Sequence, residues 1–208
     1  MTQAAVPIRV GALAFDGFEL LDLFGPLEML GRHWERFSFS ILAETAGPVR
    51  SRQGPACVAD RAFSGELGLD LLLVPGGMGT RTLVGNAAFL AELRKQCAAA
   101  RIVASVCTGS ALLAKAGVLD GLRATSNKYS FAWVKSQGPS VRWVPKARWV
   151  EDGKFLTSSG VSAGMDMALA LVAKLLGRDA ALEAADGAEY EWHEDPDWDP
   201  FAKKRGLA

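Results

Sequence analysis

The chain of 208 residues holds only two histidines, His33 and His193, and none lies between them. An imidazole base is therefore confined to two places, both outside the motifs discussed below. Cysteine is scarce too: Cys57, Cys97 and Cys107 stand alone, without Cys-x-x-Cys or Cys/His metal spacing. That pattern argues against a disulfide framework and against a metal site, and for reduced thiols in the cytoplasm. No charge excess exists, with 23 basic and 23 acidic residues, so the basic footprint of a nucleic-acid binder is missing. Long apolar runs are absent as well. LDLLLVP and MALALVAKLL are too short or too interrupted to span a bilayer. The start MTQAAVPIRV lacks a basic segment followed by a long apolar one, so no secretory leader is expected.

What is present is apolar and ordered. Half of the residues are hydrophobic, enough for one well-buried core, and the length favours a single domain over residues 1–208. Short apolar runs alternate with helical stretches. IRVGALAF (8–15), FSFSILAE (37–44), LDLLLVPGG (69–77) and RIVASV (101–106) read as strands. FELLDLFGPLEMLGR (18–32), NAAFLAELRKQCAAA (86–100) with Asn86 as its cap, and the stretch from Thr108 to about Gly117 read as helices. GPVRSRQGPACVAD (47–60) reads as a hairpin or extended excursion. A short helix is predicted around FAWVKS, a hairpin at 148–159 turning on Asp-Gly, and a last clear helix at 162–177. Residues 178–208 read as a tail, and its stretch EYEWHEDPDWDPFAKKRGLA (189–208), acidic then basic and rich in Trp and Pro, is expected to wrap the surface or meet a partner subunit. Uniformly apolar strands interleaved with helices predict an α/β fold, a mostly parallel sheet covered on both faces. Sites in such sheets form beyond the C-terminal strand ends.

Two strand ends stand out, Pro75-Gly76-Gly77 and Val106-Cys107-Thr108-Gly109. Small or slim residues surround the thiol, as a sharp strand-to-helix turn requires. A cysteine at a helix N-terminus faces free N–H groups, which favour thiolate; a buried cysteine packing as a small hydrophobe is the alternative. Asp22 lies among Leu20, Leu21, Leu23 and Phe24, which suits a poorly solvated carboxyl raised in pKa; an exposed or capping Asp in an amphipathic helix, with Asp16, Glu19 and Glu28 nearby, explains the spacing equally well. Residues Gly76 and Gly77, with the N–H of Thr108, are candidates for a nest holding developing negative charge; a plain tight turn explains the same glycines. The carboxylates from Glu189 to Asp199 match no metal-ligand spacing and read as a solvated tail.

SVCTGSALLAKAGVLDGLRATSNK, the Pro-Gly-Gly turn and TSSGVSAGMDMALAL together resemble the ThiJ/PfpI superfamily over roughly residues 8 to 177. LLDLFGPLEML with VCTGS looks most like its isonitrile hydratase branch. The resemblance implies a flavodoxin-like three-layer sandwich, a homodimer, and hydration of isonitriles to N-substituted formamides without cofactor or metal. It further implies Cys107 as nucleophile, Asp22 as acid/base, Thr108 beside them, and Gly76, Gly77, Asn127 and Val161 around the substrate. Several branches place a histidine where this chain has Asn127. Its absence argues against chemistry that needs imidazole. Glyoxalase- or deglycase-like action on reactive dicarbonyls, or a non-catalytic cysteine sensor, are the alternatives. Ser158 to Val161 resembles a pocket-lining segment, and Ser162 is equally well read as a helix cap.

Overall fold

A computed structural model describes residues 6–208; residues 1–5, part of the start read as lacking a leader, lie outside the described residues. The chain opens with β1 (Ile8–Leu13), α1 (Leu20–Gly31) and β2 (Phe37–Ala43). An excursion follows as the antiparallel pair β3 (Gly47–Arg50) and β4 (Ala56–Ala59), then the short β5 (Arg61–Ala62). Next come β6 (Leu71–Val74), α2 (Thr80–Leu83), α3 (Ala87–Ala99), β7 (Ile102–Ser105) and α4 (Gly109–Lys115). The remainder holds β8 (Arg123–Ala124), α5 (Phe131–Gln137), β9 (Arg142–Trp143), β10 (Trp149–Asp152), β11 (Phe155–Ser158), α6 (Ala163–Leu176), α7 (Arg178–Gly187) and α8 (Pro200–Lys204).

Seven strands form the main sheet in the order β10-β11-β7-β6-β1-β2-β5. All neighbours run parallel except the edge strand β10. The five inner positions, β2-β1-β6-β7-β11, have the strand order of a flavodoxin-like sheet. Helices cover it in two groups, α1 with α6 and α7, and α4 with α2, α3 and α5. Strand composition follows from that cover. Every residue of β6 and of β11 is buried, whereas β2, near the edge, keeps Ser38 and Phe39 exposed.

The crossing of α1 and α6 sets the position of the site. Small residues let the two helices approach: a Cβ on Gly25 would stand 2.9 Å from Met165 Cγ, and one on Gly164 would stand 3.3 Å from Pro26 Cγ. Pro26, inside α1, has no N–H to offer the carbonyl of Asp22 four residues back. The first turn of α1 brings Asp22 against Cys107, just past the end of β7.

Asn86 caps α3 as its position suggested, its side chain accepting from the Phe89 N–H. Ser162 makes no such bond for α6; its hydroxyl accepts from Arg148 Nη2 at 3.3 Å. The last helix expected at 162–177 is followed by two more. In α7 the buried Ala181, Ala184 and Ala185 form a narrow apolar stripe against α6. Segment 188–208 then folds back over the chain. Asp166, wholly buried, accepts from Arg148, from the Tyr190 hydroxyl and from the His193 N–H. Arg148 also lies 3.6 Å from Asp199 and takes Pro196 O as an acceptor for its own N–H. No helix is long and apolar enough to cross a membrane among the described residues.

Candidate functional site

The thiol sits where β7 ends. Cys107 has φ 57°, a left-handed conformation that is strained for a residue with a side chain. The neighbourhood fixes it there. Its N–H reaches the carbonyls of Ser158 and Ser159, and its own carbonyl accepts from the hydroxyls of Ser126 and Ser110. Gly109 must be glycine because a Cβ would stand 2.3 Å from Val74 O. The slim residues around the cysteine thus serve a tightly packed elbow.

Asp22 arrives from the first turn of α1, wholly buried. Its Oδ2 accepts from the Gly76 N–H at 2.9 Å, and its Oδ1 has no hydrogen-bond partner. Burial pushes its pKa from the usual 3.8 to about 7, partly opposed by the Gly76 bond and by the Cys107 thiol. The same burial, with the Asp22 charge beside it, pushes Cys107 well above the ordinary thiol value. This reverses the thiolate-favouring effect expected of a helix N-terminus. The helix α4 has only seven residues and Cys107 is only 7% exposed, so lost solvation outweighs the backbone N–H groups of Thr108 and Val161 that favour the anion. Burial thus raises both groups, and the two titrate as a coupled pair.

The two glycines differ in role from a charge-holding nest. The Gly76 N–H is spent on Asp22, and the Gly77 N–H donates to Thr108 Oγ1 at 3.0 Å. Gly76 is buried and does not line the cavity over the thiol; it orients the carboxyl instead. A Cβ there would stand 2.6 Å from Thr108 N and 2.8 Å from Asp22 Oδ2. Thr108 also receives the Thr80 hydroxyl at 3.2 Å. The N–H groups facing the sulfur are those of Thr108 and Val161. Val161, at φ 50°, is a β-branched residue in the left-handed region. That strain turns its N–H toward both Asp22 and Cys107.

A cavity of about 210 Å³ opens over Cys107, walled by Gly77, Thr108, Asn127 and Val161 and also by Glu19, Arg52, Met78, Arg81, Tyr129 and Ser130. Asn127 stands at its wall with Oδ1 bound to the Ser130 N–H and its amide nitrogen against Gly160. Lys128, next in sequence, is turned into the protein, where it donates to Thr125 Oγ1 and Ala147 O; burial lowers its pKa to about 8. A second cavity shares Asn127, Tyr129 and Val161 with the first and is closed by Phe201 and Arg205 of the C-terminal segment. Neither histidine lines either of these cavities. His33 Nε2 contacts Ala180 O and His193 Nε2 contacts Trp198 O.

The sequence reading missed Glu19, Arg52, Arg81 and Tyr129. The arginines come from the β3–β4 turn and from α2, and no local pattern marks them.

A strained cysteine on the elbow of a doubly covered parallel sheet, with a buried carboxyl against it, defines a cysteine-elbow class of α/β protein. The DJ-1/PfpI family model matches residues 8–174, and the chain belongs to that family. It is 36% identical to an isonitrile hydratase of Pseudomonas putida over 84% of this chain and 75% of the relative. A deglycase of Thermococcus kodakarensis is 30% identical over 73% of this chain and 89% of its own length. An HTH-type transcriptional regulator, GbdR of Pseudomonas aeruginosa, is 29% identical over 89% of this chain, which spans 51% of that protein. Among solved structures, a ThiJ/PfpI family protein from Pseudomonas syringae superposes with TM-score 0.81 at 32% identity, covering 90% of this chain and 77% of that one.

Proposed function

We propose that the protein is a cysteine-dependent isonitrile hydratase that forms N-substituted formamides without imidazole. The observation that carries this reading is the buried Asp22 in contact with Cys107 while both histidines are held elsewhere. Similarity to the isonitrile hydratase supports it.

The ionised Asp22 takes the Cys107 proton as sulfur attacks the terminal isonitrile carbon. The protonated Asp22 then delivers that proton to the same carbon, which leaves an S-linked thioimidate. Asp22 takes a proton from water as its oxygen adds to this carbon and passes it to the nitrogen; as the tetrahedral adduct collapses, Asp22 takes the hydroxyl proton, the C–S bond breaks, the formamide leaves and the Cys107 thiolate recovers that proton from Asp22. The sum consumes one isonitrile and one water. Asp22 suits both halves because a carboxyl titrating near 7 both accepts and returns a proton at neutral pH. The N–H groups of Thr108 and Val161 hold the sulfur as it gains and loses charge, and Gly77, Asn127 and Val161 shape the substrate space.

The same proposal takes the protein as a cytoplasmic, single-domain homodimer acting on a small molecule, with no nucleic acid and no membrane. Balanced charge is in keeping with this, and the exposed Leu21, Phe24 and Met78 offer apolar surface for a second copy. Similarity to the deglycase favours a second reading, action on dicarbonyls through the same thiol. The experiment is acid quench of enzyme with an aryl isonitrile, followed by mass spectrometry of the Cys107 peptide. A mass increase equal to the isonitrile on that peptide is expected; turnover with Cys107 unmodified at every quench time, or no turnover, would reject the reading.

A further inference from the structure

The cavity over Cys107 is charged, and its charge is unbalanced. Arg52 and Arg81 both line it, and neither has a salt-bridge partner among the described residues. The one carboxylate on the wall, Glu19, accepts from the neutral Gln53 amide and makes no salt bridge with either arginine, so it offsets one of the two positive charges. Arg81 is fixed in place. Its guanidinium carbon lies 3.4 Å from the centroid of the Trp133 ring, Nη2 donates to Ser130 Oγ at 3.1 Å, and Nη1 reaches Thr80 Oγ1 at 3.4 Å. Stacking and two hydroxyl contacts hold the planar fork without neutralising it, which leaves donor capacity for a ligand. Burial disfavours its charge and negative charge developing on Cys107 favours it, so the guanidinium is electrostatically within reach of the sulfur. A neutral, apolar substrate would leave this half-buried cation without a counter-charge.

We infer that the substrate reacting at Cys107 carries an anionic group, a carboxylate, which pairs with Arg81 while Arg52 draws it in at the exposed mouth. Combined with the reading above, on which the reacting group rests, the substrate class is small isonitriles bearing a carboxylate. The cavity volume of about 210 Å³ requires a compact molecule. A carboxylate and a guanidinium match as two parallel hydrogen bonds, so the pairing also orients the isonitrile carbon toward the sulfur.

The anion site is tested apart from isonitrile chemistry by alkylating Cys107 with iodoacetate and with iodoacetamide and quantifying the Cys107 peptide. Relative to the same ratio on glutathione, wild type is expected to favour iodoacetate about tenfold, the scale of one charge-assisted hydrogen bond. The preference should shrink in 0.5 M salt, fall to the glutathione value in Arg81→Met, and persist in part in Arg81→Lys. A wild-type ratio equal to that of glutathione overturns the inference, and this outcome needs no variant to fold. In a second arm, turnover of 4-isocyanobenzoate is compared with that of phenyl isonitrile, and kcat/KM is expected to be about tenfold higher for the carboxylate. An iodoacetate preference with neither isonitrile turned over keeps the anion site and rejects the hydratase reading. Turnover of both isonitriles at equal kcat/KM rejects the anion site and keeps the hydratase.

Discussion

Replacing Asp22 with asparagine separates the cost of burying a carboxylate from the chemistry that carboxylate performs. Asparagine has nearly the same shape, and its side-chain oxygen can still accept the Gly76 N–H that now bonds Oδ2. What it removes is the charge. The folded chain holds the Asp22 proton more tightly than the unfolded chain does, with a pKa of about 7 against 3.8. Stability from this group is therefore fully present below about pH 4 and is lost as pH rises through 7. Above that range the buried carboxylate costs as much as about 4 kcal/mol. Asp22→Asn should match wild type at pH 4 and exceed it at pH 8. For a chain of this size the gain corresponds to a rise of about 10 °C in Tm. Circular-dichroism melts of both proteins at pH 4, 6 and 8 measure the difference directly. A gap that stays constant with pH, or a variant that is less stable at pH 8, would refute the assignment of a strained, proton-exchanging carboxyl. Turnover should meanwhile collapse in the variant, since its amide neither takes nor returns a proton.

Because Asp22 must be ionised to accept the thiol proton, kcat/KM for an aryl isonitrile should fall as pH drops through about 7, while alkylation of Cys107 at pH 8 should be faster in Asp22→Asn, where the negative neighbour is gone. In Gly76→Ala the new Cβ meets backbone at 2.6 Å, so a loss of about 1–3 kcal/mol in denaturant melts together with loss of turnover is expected. Val161→Gly removes about 1–2 kcal/mol of left-handed strain and adds chain freedom of similar size. Its stability should stay within about 1 kcal/mol of wild type, while kcat falls because the N–H facing the sulfur is no longer fixed. Arg148→Met leaves Asp166 and Asp199 buried without their partner; a loss of about 3–5 kcal/mol and faster proteolysis within residues 188–208 are expected in limited digests.

The sheet was legible because central parallel strands must be apolar on both faces, and LDLLLVP and RIVASV are. The elbow was legible because only small neighbours allow Cys107 its backbone conformation. Asp22 stood out as a carboxyl in a leucine-rich turn. Three things were not visible. The glycine N–H groups looked free because sequence does not reveal that Asp22 and Thr108 Oγ1 already occupy them. Helix α7 was taken for tail because its buried stripe is alanine, whose small side chains give a weak apolar signal beside its acidic residues. The arginines of the cavity converge from segments distant in sequence, and that meeting exists only in the folded chain. A fourth, the burial of Cys107, was equally hidden, so its titration was read with the wrong sign from the helix end alone.

The central claim is that Cys107, assisted by a buried carboxyl, adds to an isonitrile carbon. The most direct measurement is formation of N-aryl formamide from an aryl isonitrile, followed by chromatography, with wild type and Cys107→Ala at equal concentration and pH 7.5. Steady product formation by wild type and none above buffer from Cys107→Ala is the expected result. Formamide produced by Cys107→Ala at the wild-type rate would contradict the account.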